Sequence, residues 1–143
     1  MKIALASDHA GFELKEKLKE FLVSKTHQVN DFGCYSNQSV DYPDHIHPAA
    51  NSVENKESDL GIILCGSGQG AAMTANKHQG IRAALCWTVE LARLTRQHNN
   101  ANILTIPARF VEEHTAFDMV NAFLTTEFEG GRHQNRIDKI SCS

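Results

Sequence analysis

Asp59-Leu60-Gly61-Ile62-Ile63-Leu64-Cys65-Gly66-Ser67-Gly68-Gln69-Gly70 is the stretch from which the fold is read. Leu60 to Leu64 form a short run of apolar and small residues, the pattern of a strand buried on both faces of a parallel sheet. Cys65 closes the run, glycines follow at 66, 68 and 70, and a helical pattern starts near Ala71. Strand, tight Gly loop and helix N-terminus in that order turn backbone N–H groups toward one point. The helix dipole adds positive potential there, so an anion is expected at that point. The loop is neither a Walker sequence nor GxGxxG, and its alternative is a plain βα turn without a ligand. Cys65 also has two readings. A free Cys is commonly an inert small hydrophobe. Beside a helix N-terminus, however, a thiol is more readily ionised and serves as a base or nucleophile.

Outward from this stretch, strand and helix patterns alternate. Strands are expected at residues 2–6, 27–32, 60–65, 82–86 and 102–106. Helices are expected at 12–25, 42–55, 71–77, 88–98, 115–127 and 132–140. The first helix carries Leu14, Leu18, Phe21 and Leu22 on one face. Pro43 suits the first turn of the second, and Thr88 suits the N-cap of the fourth. Five strand–helix alternations imply parallel strands joined by crossovers: an α/β, Rossmann-like, three-layer α/β/α sandwich. Ligands in such folds bind at the carboxyl ends of the strands. The turns after strands one, three, four and five therefore share one rim, which brings together Asp8, His9, Cys65, the Gly loop and Trp87.

The chain has 143 residues, enough for one domain with a hydrophobic core. At 41% hydrophobic and 22% charged, its composition is ordinary for a globular protein. A net charge of -3 argues against a nucleic-acid surface. No apolar run approaches the roughly 20 residues of a membrane span, and Met1-Lys2 leads directly into a strand with no signal-peptide pattern. Cys34, Cys65, Cys86 and Cys142 lack CxxC spacing. They read as reduced thiols in the cytoplasm, with neither disulfides nor a zinc site. His45 and His47 form the one tight His pair, and no metal is expected there.

Other candidates carry two readings each. Asp8 either faces the rim or caps the helix that follows. Gln97-His98-Asn99-Asn100 is either a functional polar turn or an ordinary solvated helix end. Arg132 and Arg136 stand four apart, on one face of a helix. With Arg109 expected on the same rim, they suit a phosphate or carboxylate, and the alternative is a surface charge pair. Gly130-Gly131 provides a hinge that would let this segment fold over a site.

Taken together, several stretches resemble the type B ribose-5-phosphate isomerases, within the group that includes the galactose-6-phosphate isomerase subunits. The resemblance rests on Ser7-Asp8-His9-Ala10-Gly11-Phe12, Asp41-Tyr42-Pro43, Cys65 to Gly70, Ala75-Asn76-Lys77, Gly80-Ile81-Arg82-Ala83, Thr95-Arg96-Gln97-His98-Asn99 and Glu129-Gly130-Gly131-Arg132-His133-Gln134-Asn135-Arg136. It implies a five-stranded parallel sheet in one domain spanning 1–143. It implies aldose–ketose isomerisation of a sugar phosphate through an enediolate, in the non-oxidative pentose phosphate pathway. No metal or organic cofactor is implied.

The resemblance also assigns roles. Cys65 is implied as the base that moves the proton between C2 and C1. His98 is implied as the acid/base that opens the sugar ring, with Asp8 assisting. Gly66, Ser67, Gly68, Gln69 and Gly70 are implied as the anion hole for the enediolate oxygen. Ser67 stands where Thr is common and Gln69 where a small apolar residue is common, and neither changes a backbone donor. Tyr42 and Asn99 are implied as substrate hydroxyl contacts. His9, Arg109, Arg132 and Arg136 are implied at the phosphate end. A homodimer, or a dimer of dimers, is implied, with sites at the subunit interface and segment 130–143 packed there. Asp8, Cys65, His98 and both C-terminal Arg in one chain favour a self-sufficient homo-oligomer. Ribose 5-phosphate is the expected substrate. The alternatives are a six-carbon sugar phosphate (allose or galactose 6-phosphate), and a non-catalytic flavodoxin-like module that binds a nucleotide or phosphate.

Overall fold

The structure is a computed structural model and describes residues 1–142. Five strands, β1 (Lys2–Ser7), β2 (Gln28–Asp31), β3 (Leu60–Cys65), β4 (Ala83–Leu85) and β5 (Ile103–Pro107), form one parallel sheet in the order β2-β1-β3-β5-β4. The helices are α1 (Phe12–Ser24), α2 (Tyr42–Glu54), α3 (Gln69–Ala75), α4 (Val89–Asn99), α5 (Glu113–Thr125) and α6 (Arg132–Asp138). A short 3-10 turn, His9–Gly11, precedes α1. Every expected element is present, with ends displaced by one or two residues.

The three layers follow from the period-2 alternation of the central strands. Ile3, Leu5, Ile62 and Leu64 point to one face, where Leu18, Leu22, Ala92, Met119, Val120 and Phe123 of α1, α4 and α5 cover them. Ala4, Ala6, Ile63 and Cys65 point to the other, under Ile46, Ala49, Ala50, Val53, Ala71 and Ala75 of α2 and α3. The small residues on this second face let α2 and α3 approach the sheet closely. That close approach sets the Cys65 thiol in a tight apolar layer, with 5% of its surface exposed.

Two local stops place the site. Thr88 caps α4 through a hydrogen bond from the Leu91 N–H at 3.1 Å, and Pro43 lies in the first turn of α2, both as the sequence predicts. The Gly loop is shorter than expected. Gly68 takes a left-handed conformation, φ +76°, and is itself the N-cap of α3. Only glycine adopts that geometry without strain. The helix therefore starts at Gln69, and Gln69 and Gly70 belong to its first turn rather than to the loop.

The segment after β2 is tied to the same edge of the sheet. Ser7 N–H donates to the Gly33 carbonyl at 2.6 Å, and Cys34 N–H donates to the Ser7 carbonyl at 2.8 Å. Beneath it lies Lys15, with no exposed side-chain surface, whose Nζ donates to both oxygens of Asp31 at 2.8 Å. Burial pushes the Asp31 carboxyl up. Hydrogen bonds from Lys15, the Gly33 N–H and Lys19 outweigh burial and hold it below its ordinary value.

Candidate active site

Three strand ends converge on the carboxyl edge. Asp8 N–H donates to the Leu64 carbonyl at 3.3 Å, Ala108 N–H to the Cys65 carbonyl at 2.9 Å, and Arg109 N–H to the Gly66 carbonyl at 3.0 Å. Cys65 thus stands between the turn bearing Asp8 and His9 and the turn bearing Arg109. The Arg109 guanidinium lies directly against Gly66, where a Cβ would sit 3.1 Å from its Nη1. A Cβ on Gly70 would fall inside the Tyr42 ring, so α2 presents that ring to the first turn of α3. The first N–H groups of α3 have no acceptor within the helix, and that of Gln69 donates to Ser67 Oγ at 3.4 Å. Asp8, His9, Tyr42, Cys65, Gly66, Ser67, Gly68, Gln69, Gly70 and Arg109 therefore occupy one rim.

Asp8 is a cap, but of the 3-10 turn and not of α1, whose N-cap is Gly11. Its Oδ1 accepts from the Ala10 and Gly11 N–H groups at 3.0 and 3.3 Å, capping the 3-10 turn, and the residue is buried at the strand end. Trp87 reaches the same edge, more than half exposed. It lines a cavity of about 450 Å³ with Ser67, Gln69, Leu85, Pro107 and Phe110. Trp87 stands on the rim as the sequence predicts, and Phe110 joins it there without a signal in the sequence, because exposure cannot be read from a single aromatic residue.

The second group of expected residues lies elsewhere. α4 starts at the carboxyl end of β4 and runs back to where β4 and β5 begin. There the Arg82 guanidinium, one residue before β4, donates to the carbonyls of Asn99 and Asn100. His98 and Asn99 are thus at the amino edge of the sheet, and Cys65 is at the carboxyl edge. The six residues of β3 separate those edges by roughly 16 Å at about 3.3 Å per residue. α6 packs beside the end of α4, so Arg132 and Arg136 share His98's edge and not that of Arg109. The expectation of one rim holding all three Arg is corrected. The reason is geometric: a helix following a strand returns its C-terminus to the opposite edge. Arg132 and Arg136 do lie on one exposed helix, as their spacing predicts.

His98 has partners of its own. Its ring stacks on that of His133 with centroids 4.5 Å apart and planes 18° from parallel. Glu129 Oε1 lies 3.6 Å from His98 Nε2 and 3.5 Å from His133 Nε2. Among the described residues this is the one group of three or more His, Cys, Asp or Glu whose ligand atoms all lie within 4.8 Å of one another. Nearly parallel planes leave no point that is in both rings at bonding distance. The arrangement is that of a stacked pair sharing a carboxylate. Glu129 and His133 were missed as site residues, although their i,i+4 spacing was the available signal. His45 and His47 do not face each other. His45 Nδ1 meets the Phe32 carbonyl at 3.0 Å, and His47 Nδ1 meets His78 Nε2 at 2.7 Å.

Residues 3–140 match the family model for ribose/galactose isomerases, and the chain belongs to that family. It is 41% identical over 140 residues to the ribose-5-phosphate isomerase B of Escherichia coli, covering 98% of this chain and 94% of that one. The solved ribose 5-phosphate isomerase of Thermotoga maritima superposes with a TM-score of 0.96 at 54% identity, covering 98% and 97% of the two chains. Ribose-5-phosphate isomerase B from Mycoplasma genitalium, solved with ribulose-5-phosphate bound, superposes at 0.93 with 46% identity, covering 97% and 93%.

Proposed function

We propose that this chain interconverts D-ribose 5-phosphate and D-ribulose 5-phosphate. The observation that carries the reading is the ribulose-5-phosphate complex of a family member that aligns with nearly the whole chain. The rim geometry supplies the chemistry. Cys65, as thiolate, removes the C2 proton of the open-chain aldose, and the electron pair moves onto the carbonyl oxygen to give the enediolate. Backbone N–H groups of Gly66 to Gly70 stabilise that oxygen. A proton then passes from O2 to O1, which moves the charge to O2, and Cys65 returns its proton to C1 as the C2 carbonyl of the ketose forms. Asp8 and Tyr42 hold the sugar hydroxyls, and His9 and Arg109 receive the phosphate. Nothing in this sequence of steps calls for a metal or organic cofactor.

Ring opening and the rest of the phosphate grip are assigned to His98, Asn99, Arg132 and Arg136 of a second copy of the chain. The roughly 16 Å between sheet edges supports this, since one molecule cannot bring Cys65 and His98 to one sugar. The exposed Trp87 and Phe110 at the rim suit burial against that copy. The working unit is a homodimer, alone or paired as a dimer of dimers, with 130–143 at the interface. It acts in the cytoplasm, in the non-oxidative pentose phosphate pathway. No described helix is long and apolar enough to cross a membrane.

The test is turnover of the purified protein on ribose 5-phosphate beside allose 6-phosphate and galactose 6-phosphate. Ribose 5-phosphate is expected to give the highest kcat/KM. Preference for either six-carbon substrate would reassign the substrate. Phosphate binding with no turnover on any of the three would identify a binding module.

A further inference from the structure

We infer that the Val40 backbone N–H locks His9 as an imidazole protonated on Nε2, and that the buried Lys15–Asp31 pair positions the loop that presents this N–H. The inference rests on the reading of His9 at the phosphate end of the site. Val40 N donates to His9 Nδ1 at 3.1 Å, across 31 residues of chain. A backbone N–H can only donate, so Nδ1 must keep its lone pair, and the ring proton resides on Nε2. An imidazolium would set its Nδ1–H against the Val40 N–H and lose the bond. His9 therefore offers the substrate one directed N–H rather than a positive charge, and the charge is met by guanidinium groups.

The loop that carries Val40 is anchored at its start. Gly33 N–H donates to Asp31 Oδ1 at 2.9 Å, and the Gly33 carbonyl accepts from Ser7. Asp31 in turn is clamped by Lys15 through both oxygens. The Lys15 ammonium sits 5.7 Å from the Phe12 ring centroid and 5.6 Å from that of Tyr35, whose hydroxyl donates to the Asp31 carbonyl. A largely buried ion pair is a poor source of net stability. Here it sets the origin of the loop whose far end fixes the His9 tautomer. Lys15, Asp31 and Val40 are positioning residues, because they act through His9.

The experiment is 15N NMR of the intact protein at neutral pH with two variants. Wild type is expected to show a His9 ring with Nε2 protonated and Nδ1 bare, and a through-hydrogen-bond coupling from the Val40 amide nitrogen to Nδ1. Val40→Ala keeps the N–H and is expected to keep both the coupling and the KM. Val40→Pro removes the N–H. It is expected to lose the coupling and raise the KM for ribose 5-phosphate about tenfold, while kcat changes far less. Should Val40→Pro fail to fold, Asp31→Asn takes its place, with the same loss of coupling and rise in KM expected. A wild-type ring protonated on Nδ1, or a variant that loses the coupling at unchanged KM, overturns the inference. Wild-type protein with the coupling but no turnover would instead overturn the functional reading. The affinity of the variant that loses the coupling for inorganic phosphate then decides whether the lock serves an anion: a drop of about tenfold supports it and unchanged affinity refutes it.

Discussion

His98 and His133 stack 4.5 Å apart with Glu129 between their Nε2 atoms, and this contact ties α6 to the end of α4. α6 buries none of its residues and follows Gly130 and Gly131, both at positive φ. The stack and the Glu129 N–H bond to the Gln97 carbonyl at 3.1 Å both hold the helix that carries Arg132 and Arg136. A ring pair of this kind contributes about 0.5–1.5 kcal/mol. His133→Ala is expected to raise the KM for the sugar phosphate about two- to tenfold. Protease cleavage at Gly130-Gly131 is expected to accelerate in the same variant. Unchanged KM and unchanged cleavage would show that α6 is held by something else.

Cys65→Ala is expected to lower kcat by roughly 10²–10⁴, the range for loss of a general base, with a small change in KM. Steady-state kinetics on ribose 5-phosphate reads both. A variant that retains wild-type kcat would remove Cys65 from the role of base.

The separation of Cys65 from His98 allows a mixing experiment. Cys65→Ala and His98→Ala proteins are each expected to be inactive. Unfolded together and refolded, half of the dimers pair one of each, and one of their two sites holds both native residues. About a quarter of wild-type activity is expected to return. If the mixture stays inactive, Cys65 and His98 do not meet across two copies.

Asp31 and Lys15 set a stability expectation. Asp31→Ala leaves the buried Lys15 ammonium with Glu16 Oε2, at 3.2 Å, as its one carboxylate partner and is expected to cost about 1–3 kcal/mol in urea unfolding. Because the folded carboxyl is held below its ordinary value, its contribution is complete above about pH 4. It is lost as pH falls through the lower, folded value. Acid unfolding of the wild type should therefore steepen below pH 4, and Asp31→Ala should flatten that dependence. An equal acid slope in both proteins would rule the pair out as a source of it.

Cys86 is buried, and burial pushes its thiol up to about 12. Iodoacetamide at pH 8 is expected to modify exposed Cys142 and leave Cys86 untouched in the folded protein. Mass spectrometry of peptides reads each site. Alkylation of Cys86 under native conditions would mean that its layer opens.

Much of the fold was legible because local rules and tertiary packing agree. The Leu60–Leu64 run, the Thr88 cap and Pro43 each point to the element that forms. The helix start at Gln69 was less legible. It depends on the backbone of Gly68, which composition alone does not reveal. Of the site residues, those directly after strands were read correctly as one rim, since the carboxyl edge follows from parallel pairing. Those on helix ends and beyond were not, because their edge depends on where the return path of α4 ends. Lys15 and Val40 give no local signal, since their contacts to Asp31 and His9 run to partners distant in sequence, one of them through a backbone atom.

Sequence by itself determined the element order, the three layers and the residue types available for chemistry. Those follow from hydrophobic period, turn chemistry and motif, which are properties of neighbouring residues. Only the tertiary structure decided the strand order, the two separate groups of site residues and the partners of His98 and His9. These depend on which distant segments a folded core brings within 3 to 5 Å of each other. Long-range packing sets that choice, and a one-dimensional pattern does not encode it locally.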